Sequence, residues 1–456
     1  MAVGKETEKG AGDEGRRSAL ALYEDIEAEH MAALEATGIA FAPYDSERLE
    51  REGLLRQLRE RGARIRNGGA SVAIGPMSVA CEACTGSCVS RSFALTNNCH
   101  RDCFFCFNPN QEDFAYWCER PFPWRRQLDD LAAEPGSPAC IALTGGEPLL
   151  MADEAVAFFS RASELFPAAH LRLYTSGELI DRLVRAGLHE IRFSVKQDDK
   201  PELLEKVLER MAWAREQVPT VMVEMPVIPG TDSFMKELLA KLDALGVDGV
   251  NLLEFAYAMW NWPVFESLGL TLRNPPQQVV FDYTYAGALA VQDSEEDCLR
   301  LMLWAREQGL GLALHYCSLE NKHRAQVRNM NEPFADIHAC YAFDYDDFFL
   351  KTALAFDGDR DLVRRALERE GCHQVLEDAE GGSLAFHPRW LSVALRAVPE
   401  PGRLCVSFNV AVDEGRSLRE LKVVPAGELS VQLTDSTGPA DACEPCLQGF
   451  EKSWNR

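Results

Sequence analysis

Alternating strand-like and helix-like segments constrain the fold of this chain more than any other feature of its sequence. Short apolar runs of strand length start at Ser92 and recur as far as Cys317, and amphipathic stretches of helical length separate them. The predicted strands are Ser92–Asn97, Cys140–Thr144, Leu171–Thr175, Ile191–Val195, Thr220–Pro226, Val250–Phe255 and Leu312–Tyr316. Because a helix between two strands returns the chain to the same edge, this pattern predicts an α/β fold with a parallel sheet. Six or seven such units favour a partial or nearly closed βα barrel, and an open doubly wound sheet is the alternative.

The segments that flank the alternating region have other patterns, and 456 residues are enough for two or three domains. Residues 1–80 predict a polar tail, two helices and a hairpin that cap the barrel. Residues 81–90 form a cysteine-rich segment, and residues 91–325 contain the barrel. Residues 326–456 predict a smaller α+β domain that covers the barrel or binds a macromolecular substrate.

The charge of the chain argues against nucleic acid as a partner. Its 71 acidic and 47 basic side chains give a net charge of −24 at pH 7, so its surface repels phosphate backbones. No apolar run approaches the roughly 18 residues that cross a bilayer, and residues 1–17 are polar, so we expect no membrane association and a cytoplasmic location. In that reducing compartment, the 15 cysteines indicate metal or redox chemistry rather than disulfides.

Cys99, Cys103 and Cys106 form a CxxxCxxC motif in a loop directly after the first predicted strand. At the cysteine content of this chain, such a spacing is expected by chance on the order of 0.02 times. Three thiolates this close can hold three irons of a [4Fe–4S] cluster, and a cluster with no open iron uses four cysteines. The fourth iron then has an open coordination position where a small molecule can bind and react. A zinc site with a distant fourth ligand is the alternative.

The CxxxCxxC spacing, with the aromatic Phe105 before its last cysteine, resembles the motif of the radical S-adenosylmethionine (SAM) superfamily. Gly145-Gly146-Glu147-Pro148, at the end of the next predicted strand, resembles the GGEP motif of the same family. Paired glycines let the backbone approach a ligand closely, and the carboxylate suits the SAM ammonium group. The resemblance implies that SAM binds the open iron and is cleaved to methionine and a 5′-deoxyadenosyl radical. It also implies an electron donor such as ferredoxin or flavodoxin.

Three further side chains at strand ends are candidates for SAM binding, because barrels of this kind carry their sites at the carboxyl ends of the strands. Ser176 follows the third strand, where the family often has Asn, and capping of the next helix is its alternative role. Ser194 and Lys196 lie at the end of the fourth strand, where the family commonly contacts the ribose or carboxylate of SAM. A solvated side chain is the alternative for Lys196.

The last two predicted strands end in residues that are candidates for contact with the substrate. Glu254 precedes an aromatic loop, Phe255–Phe265, that can shape a substrate pocket or pack in the core. His315 and Cys317 follow the last strand, where they can donate a hydrogen atom, relay a proton or bind a metal. Burial in the core is the alternative for Cys317. The HYCS segment, followed by Lys322, resembles a radical SAM group related to pyruvate formate-lyase activating enzyme.

A second set of cysteines lies outside the alternating region. Cys81, Cys84 and Cys88 form a CxxCxxxC motif, and Cys443 and Cys446 form a CxxC pair near the end of the chain. Together they predict one metal site that joins the two ends of the chain, holding zinc or a second [4Fe–4S] cluster. The resemblance favours the cluster, since auxiliary clusters are common in the family. An extended strand of roughly seven residues at ~3.3 Å each would put this site some 20 Å from the CxxxCxxC motif, near the bottom of the barrel.

These motifs together predict a radical SAM enzyme. The resemblance implies that the 5′-deoxyadenosyl radical abstracts a hydrogen atom from an unactivated carbon of the substrate. Modification of a peptide or protein, including activation of a glycyl-radical enzyme, is the favoured outcome. Rearrangement of a small molecule or group transfer is one alternative. A zinc-binding scaffold without catalytic activity is the alternative from a different class.

Overall fold

The computed structural model describes residues 14–84, 89–134, 136–175, 180–197, 199–276, 288–378, 382–400, 403–412 and 417–427. These residues form two compact units. The larger unit contains the described residues between 35 and 325, and the smaller unit contains residues 14–34 with the described residues from 326 onward. Within the described part of the chain, no helix is both long and apolar enough to span a membrane.

Helices and strands alternate along most of the chain. The helices are α1 (Glu14–Ala36), α2 (Arg48–Glu60), α3 (Val79–Cys84), α4 (Phe114–Glu119), α5 (Trp124–Ala133), α6 (Ala152–Leu165), α7 (Ile180–Arg185), α8 (Pro201–Arg215), α9 (Asp232–Ala244), α10 (Trp262–Ser267), α11 (Ser294–Gln308), α12 (Leu319–Asn331), α13 (Asp359–Arg369) and α14 (Leu391–Ala397). The strands are β1 (Arg64–Arg66), β2 (Ser71–Ile74), β3 (Ser90–Ala94), β4 (Cys140–Thr144), β5 (His170–Thr175), β6 (Glu190–Ser194), β7 (Thr220–Val227), β8 (Gly249–Glu254), β9 (Ala256–Tyr257), β10 (Leu289–Ala290), β11 (Ala313–Cys317), β12 (Ala342–Phe343), β13 (Leu350–Phe356), β14 (Val375–Asp378), β15 (Ser383–Phe386), β16 (Cys405–Val412) and β17 (Ser417–Pro425).

The larger unit is built on a nine-stranded sheet in the order β1-β2-β11-β8-β7-β6-β5-β4-β3. Neighbouring strands from β3 through β8 to β11 are parallel, which confirms the predicted α/β class. All seven predicted strands are present. β1 and β2 form the hairpin expected in the N-terminal segment, and β2 pairs antiparallel with β11, so the hairpin extends the sheet. This pairing covers the strand edge that β11 would otherwise expose.

Side chains alternate along the parallel strands between an apolar face and a polar face. Ile191 and Phe193 of β6 are fully buried and belong to the main hydrophobic cluster with Phe158 of α6. Burial of each such side chain contributes about 1.5–3 kcal/mol. Arg192 and Ser194 lie on the opposite face of β6, because successive residues of a strand point to opposite sides. The helices therefore pack on the apolar face, and the inner face of the sheet is left for polar chemistry.

The smaller unit contains a six-stranded antiparallel sheet ordered β14-β15-β13-β16-β17, with β12 beside β13. This sheet, with α13 and α14, confirms the predicted α+β character of the C-terminal region. α1 belongs to this unit and not to the barrel. Leu20 and Tyr23 of α1 pack against Phe356 and Cys405, and the Tyr23 hydroxyl donates a hydrogen bond to Glu420 at 2.8 Å.

Candidate active site

The carboxyl ends of the parallel strands open onto a cavity of about 990 Å³. The CxxxCxxC loop lies on one side of this cavity, and residues 144–147 of the GGEP segment lie beside it. The strands themselves contribute residues at or near their ends: Ala94, Thr144, Thr175, Ser194, Glu224, Pro226 and Glu254. Residues that are far apart in sequence therefore face one space, at the end of the strands where barrels of this kind carry their sites.

Cys99, Cys103 and Cys106 are reduced thiols that all line this cavity. Cys99 is exposed, and the other two are half-buried. The backbone N–H of Arg101 donates to the Cys99 sulfur at 3.4 Å, and the backbone N–H of Asn108 donates to Cys106. Burial raises the pKa of the Cys106 thiol, and the Asn108 N–H acts in the opposite direction by favouring the thiolate.

This donor set fits an iron–sulfur cluster. Backbone N–H groups directed at cysteine sulfurs stabilise thiolates and are one of the means by which proteins tune such clusters. Among the described residues, no three His, Cys, Asp or Glu side chains converge as a single metal ion requires. Three cysteines that bind different irons of a cluster need not converge on one point, so this finding is compatible with a cluster.

Contacts on both sides hold the cysteine loop in place. Cys106 donates a backbone hydrogen bond to the Cys103 carbonyl at 3.0 Å, which closes a tight turn. Arg101 forms an ion pair with Asp199, in the segment that follows β6, and both side chains are largely buried. Phe105 is 7% exposed, and the Lys196 ammonium lies 5.0 Å from the centre of its ring. The loop is therefore tied to the end of β6, where two of the predicted SAM contacts lie.

The two glycines of the GGEP segment permit a close approach within the protein. A Cβ on Gly146 would lie 2.1 Å from the Asn98 carbonyl oxygen, and Gly145 has a φ of +106°. Gly146 N–H donates to the Thr96 carbonyl at 2.9 Å, and Glu147 N–H donates to that of Asn98 at 2.8 Å. The sequence predicted an approach to a ligand, whereas the structure shows that the glycines first bring this segment against the backbone that leads into Cys99.

Glu147 lines the cavity although its side chain is 5% exposed. Its Oε1 accepts hydrogen bonds from the Thr175 hydroxyl at 2.6 Å and from the Leu149 N–H at 3.1 Å. Pro148 follows as the first residue of a short 3₁₀ helix. The carboxylate is thus held in a fixed orientation at the cavity wall.

Of the other residues predicted to bind SAM, the structure describes Ser194 and Lys196. Ser194 and Lys196 both line the cavity, on the same side as the Phe105 ring. The backbone N–H of Lys196 donates to Asp199 at 3.3 Å, so the segment after β6 is braced by the residue that also pairs with Arg101. Ser176 lies outside the described residues.

The structure places two of the predicted catalytic residues, His315 and Cys317, away from the cavity lining. Cys317 is 8% exposed, its sulfur accepts a hydrogen bond from Asn321 at 3.4 Å, and burial raises the pKa of its thiol to about 12. His315 is 5% exposed and contacts Ser71 at 2.9 Å and Asn251 at 3.2 Å. Both side chains therefore sit within the packed interior.

Glu254, the third predicted catalytic residue, lines the cavity but already has protein partners. Its Oε1 forms an ion pair with Arg273 at 2.6 Å, and its Oε2 accepts the Leu319 N–H at 2.7 Å. Burial raises the pKa of this carboxyl, against the opposing effect of Arg273. Glu254 thus joins the end of β8 to the start of α12.

The polar residues that line the cavity but were not predicted as site residues include Tyr174, Glu224 and Lys322. Glu224 accepts hydrogen bonds from Arg192 and, at 2.8 Å, from Asn251. Burial alone would raise the pKa of Glu224, but Arg192 and Lys322 outweigh burial and lower it. A single acidic residue inside the apolar run Thr220–Val227 was the signal that could have identified it.

Helix α3 carries Cys81 and Cys84 of the second motif and packs near the first residues of β4 and β6. Ser78, just before α3, donates to Glu190 at 2.6 Å, and Glu190 is the first residue of β6. Cys81 accepts hydrogen bonds from Arg192 at 3.1 Å and from Asn251 at 3.4 Å. Burial alone would raise the pKa of the Cys81 thiol, but Arg192 and His315 outweigh it and lower it to about 6.

Of the other cysteines in the second set, the structure describes Cys84 alone. Burial and the nearby Cys81 raise the pKa of the Cys84 thiol to about 11. Cys88, Cys443 and Cys446 lie outside the described residues.

Comparisons with known proteins agree with this geometry. Residues 93–242 match the family described as the radical SAM superfamily. A Methanocaldococcus jannaschii protein named "Putative glycyl-radical enzyme activating enzyme" is 24% identical over 302 residues, which cover 63% of this chain and 74% of that protein.

Solved structures with a similar arrangement include SuiB of Streptococcus suis bound to its precursor peptide SuiA. It is 13% identical, with 50% of this chain and 48% of that chain covered and a TM-score of 0.36. The match thus spans about half the length of SuiB. Methylornithine synthase is 12% identical, with 44% and 67% covered and a TM-score of 0.29. The residues matched to the radical SAM superfamily include the cysteine loop and the GGEP segment, and this match, together with the relative, supports an enzyme of the radical SAM type.

Proposed function

We propose that this enzyme cleaves SAM reductively at a [4Fe–4S] cluster held by Cys99, Cys103 and Cys106. The observation that carries the proposal is that all three thiols and the backbone of the GGEP segment line one cavity at the carboxyl ends of the strands. The bound cluster would supply the electron that splits SAM into methionine and a 5′-deoxyadenosyl radical, and this radical would take a hydrogen atom from a carbon of the substrate.

The residues around the cavity bind and orient the reactants and exclude water. The Glu147 carboxylate, held by Thr175, accepts hydrogen bonds from the ammonium group of SAM. Ser194 and Lys196 supply a hydroxyl and a cation for the ribose and carboxylate groups. Phe105 contributes an apolar wall beside them, and such a wall keeps water away from a carbon radical.

For the substrate we favour a peptide or protein, with activation of a glycyl-radical enzyme as the leading case. The name of the Methanocaldococcus jannaschii relative supports this choice, as does the HYCS segment followed by Lys322. The resemblance to radical SAM enzymes favours a small protein such as ferredoxin or flavodoxin as the electron donor. The zinc-binding scaffold without catalytic activity is set aside, since the chain belongs to an enzyme family.

We also propose a second metal site that includes Cys81, Cys84 and Cys88, with Cys443 and Cys446 as further ligands. Two features support it: Cys81 and Cys84 lie three residues apart on α3, and neither the buried Cys81 nor the half-buried Cys84 lines the cavity. Iron and zinc analysis of Cys81→Ser and Cys84→Ser proteins tests this site. Loss of one metal equivalent or cluster with retention of SAM cleavage supports it, and unchanged metal content contradicts it.

The main proposal is tested with protein purified without oxygen. The expected preparation is brown, contains iron and sulfide, and releases 5′-deoxyadenosine when SAM and dithionite are added. The matched control replaces Cys99, Cys103 and Cys106 by Ala and should release none. A colourless, zinc-containing preparation that leaves SAM intact under dithionite would contradict the proposal, as would SAM cleavage by the control protein.

A further inference from the structure

The segment after β8 reaches the cysteine loop through directed hydrogen bonds. The Trp260 indole N–H donates to the Cys106 carbonyl oxygen at 2.5 Å, and the Asn261 side-chain amide donates to that of Phe104 at 2.9 Å. The Trp260 backbone N–H donates to the Asn110 side chain at 3.2 Å. Two consecutive residues thus hold the turn that carries the last cysteine of the motif from both sides.

Core packing accounts for Phe255 and Phe265 of this segment but not for Trp260. Phe255 and Phe265 are fully buried and stack on each other with ring centres 5.5 Å apart, and Phe104 of the cysteine loop packs edge-on against Phe265 at 5.5 Å. Trp260 is 45% exposed and lines the cavity. A large apolar side chain left half-exposed gains little from burial. Its structural contribution is therefore the bond to the Cys106 carbonyl.

We propose that Trp260 is a positioning residue that raises the reduction potential of the cluster through the Cys106 carbonyl, while Asn261 fixes the shape of the turn. The inference rests on the proposed function, because it requires a cluster on Cys106. Reduction adds one electron, and so one negative charge, to the cluster. A carbonyl oxygen beside a ligand cysteine opposes that charge, and an N–H that donates to this oxygen offsets part of its dipole. The N–H should therefore favour the reduced cluster.

The test is Trp260→Phe, which keeps an aromatic ring and removes the N–H. The cluster takes one electron from a reductant such as Ti(III), which becomes Ti(IV), and its midpoint potential is measured by a redox titration followed by electron paramagnetic resonance. We expect the ratio of reduced to oxidised cluster at a fixed potential to fall about tenfold, which corresponds to a shift of ~59 mV to lower potential for a one-electron couple. The rate of SAM cleavage driven by a weak reductant should fall with the potential, and a stronger reductant should restore that rate.

Two matched variants separate this effect from general damage. Trp213→Phe removes an indole N–H from a tryptophan of α8 that is 44% exposed, and should leave the potential unchanged. Asn261→Ala removes the bond to Phe104, which binds no iron, and should lower the iron content or thermal stability more than the potential. An unchanged potential in Trp260→Phe with full iron content would overturn the inference. A wild-type protein without a cluster would instead overturn the proposed function.

Discussion

The cysteine loop and α3 hold thiols against the same sheet, in opposite surroundings. The thiols of the loop line an open cavity, and backbone N–H groups donate to Cys99 and Cys106. The Cys81 thiol is enclosed among polar side chains and accepts hydrogen bonds from Arg192 and Asn251. A thiol that faces open space can bind a metal that also binds a small molecule. A thiol surrounded by protein suits a closed, structural metal site. The two cysteine motifs have similar spacings but are therefore suited to different roles.

The surroundings of the two sets of thiols differ because a network of charged side chains lies on the inner face of the sheet beside Cys81. Arg192 is 1% exposed and contacts Glu190, Glu224 and Cys81, so one cation joins three acidic or thiol groups from β6, β7 and α3. Glu224 also lines the cavity, so this network forms the inner wall of the active site. Cys81 is therefore separated from the cavity by side chains that are already engaged with one another.

The largest expected effect separates the two cysteine regions directly. Cys103→Ser should abolish SAM cleavage, because a cluster that loses one of three protein ligands is not held. Cys84→Ser should retain SAM cleavage, since Cys84 does not line the cavity. Release of 5′-deoxyadenosine and iron content measure both. A folded Cys84→Ser protein that cannot cleave SAM would show that the two regions share one function.

Gly146→Ala tests whether the backbone behind the cysteine loop needs its close packing. The added Cβ would lie 2.1 Å from the Asn98 carbonyl oxygen, so the segment that leads into Cys99 must shift. Overpacking of this kind costs about 1–3 kcal/mol. We expect reduced iron content and reduced SAM cleavage, measured on anaerobic protein. Gly358→Ala is the control, because a Cβ there meets nothing within 4 Å, and it should behave as wild type.

Arg192→Met tests the enclosed network. The substitution leaves Glu190 and Glu224 buried without their shared cation, and breaking such a buried pair costs about 3–5 kcal/mol. Denaturant unfolding of the protein measures the loss. Arg126→Met is the matched control, because Arg126 is 80% exposed and its ion pair with Asp130 contributes only about 0–1 kcal/mol. Equal stability of the two variants would mean that the network contributes nothing to folding.

The smallest effect is a dependence of stability on pH. Burial alone would raise the pKa of Glu190, but Arg192, His170 and Arg172 outweigh it, so its pKa lies below the ordinary value of 4.5. A carboxyl whose pKa is lower in the folded state binds fewer protons there than in the unfolded state. Its stabilisation is therefore complete above about pH 4.5 and is lost as the pH falls further. Unfolding of wild type and Glu190→Gln between pH 7 and pH 3.5 should show a stability difference that shrinks in acid, and a constant difference would contradict this.

Much of the fold was predictable because it depends on local patterns. β4 begins and ends at the predicted residues, and the other parallel strands differ from their predictions by a few residues at their ends. The hairpin around Asn67-Gly68 was also expected, but its pairing with β11 was not, because β2 and β11 are far apart in sequence. α1 was assigned to the barrel cap, and only its contacts with Phe356 and Cys405 place it in the smaller unit.

The candidate site likewise contains residues that the sequence identified and residues that only the structure revealed. Cys99, Cys103 and Cys106 were identified by their spacing and the GGEP segment by its resemblance to a family motif, and the structure places them around one cavity. Glu224 was missed as a site residue, because an acid in a strand has no fixed role until its neighbours are known. The aromatic loop that contains Trp260 was predicted either to shape a substrate pocket or to pack in the core. His315 and Cys317 were expected near the substrate, but their positions on β11 place them in the packed interior.

The sequence by itself determined the order of strands and helices and identified the candidate cluster ligands, since both depend on residues close together in the chain. Only the tertiary structure decided which thiols face open space and which are enclosed. The Arg192 contact with Cys81 spans 111 residues, and the Trp260 contact with Cys106 spans 154. Contacts over such separations depend on the register of the strands and on which face of each strand a side chain occupies.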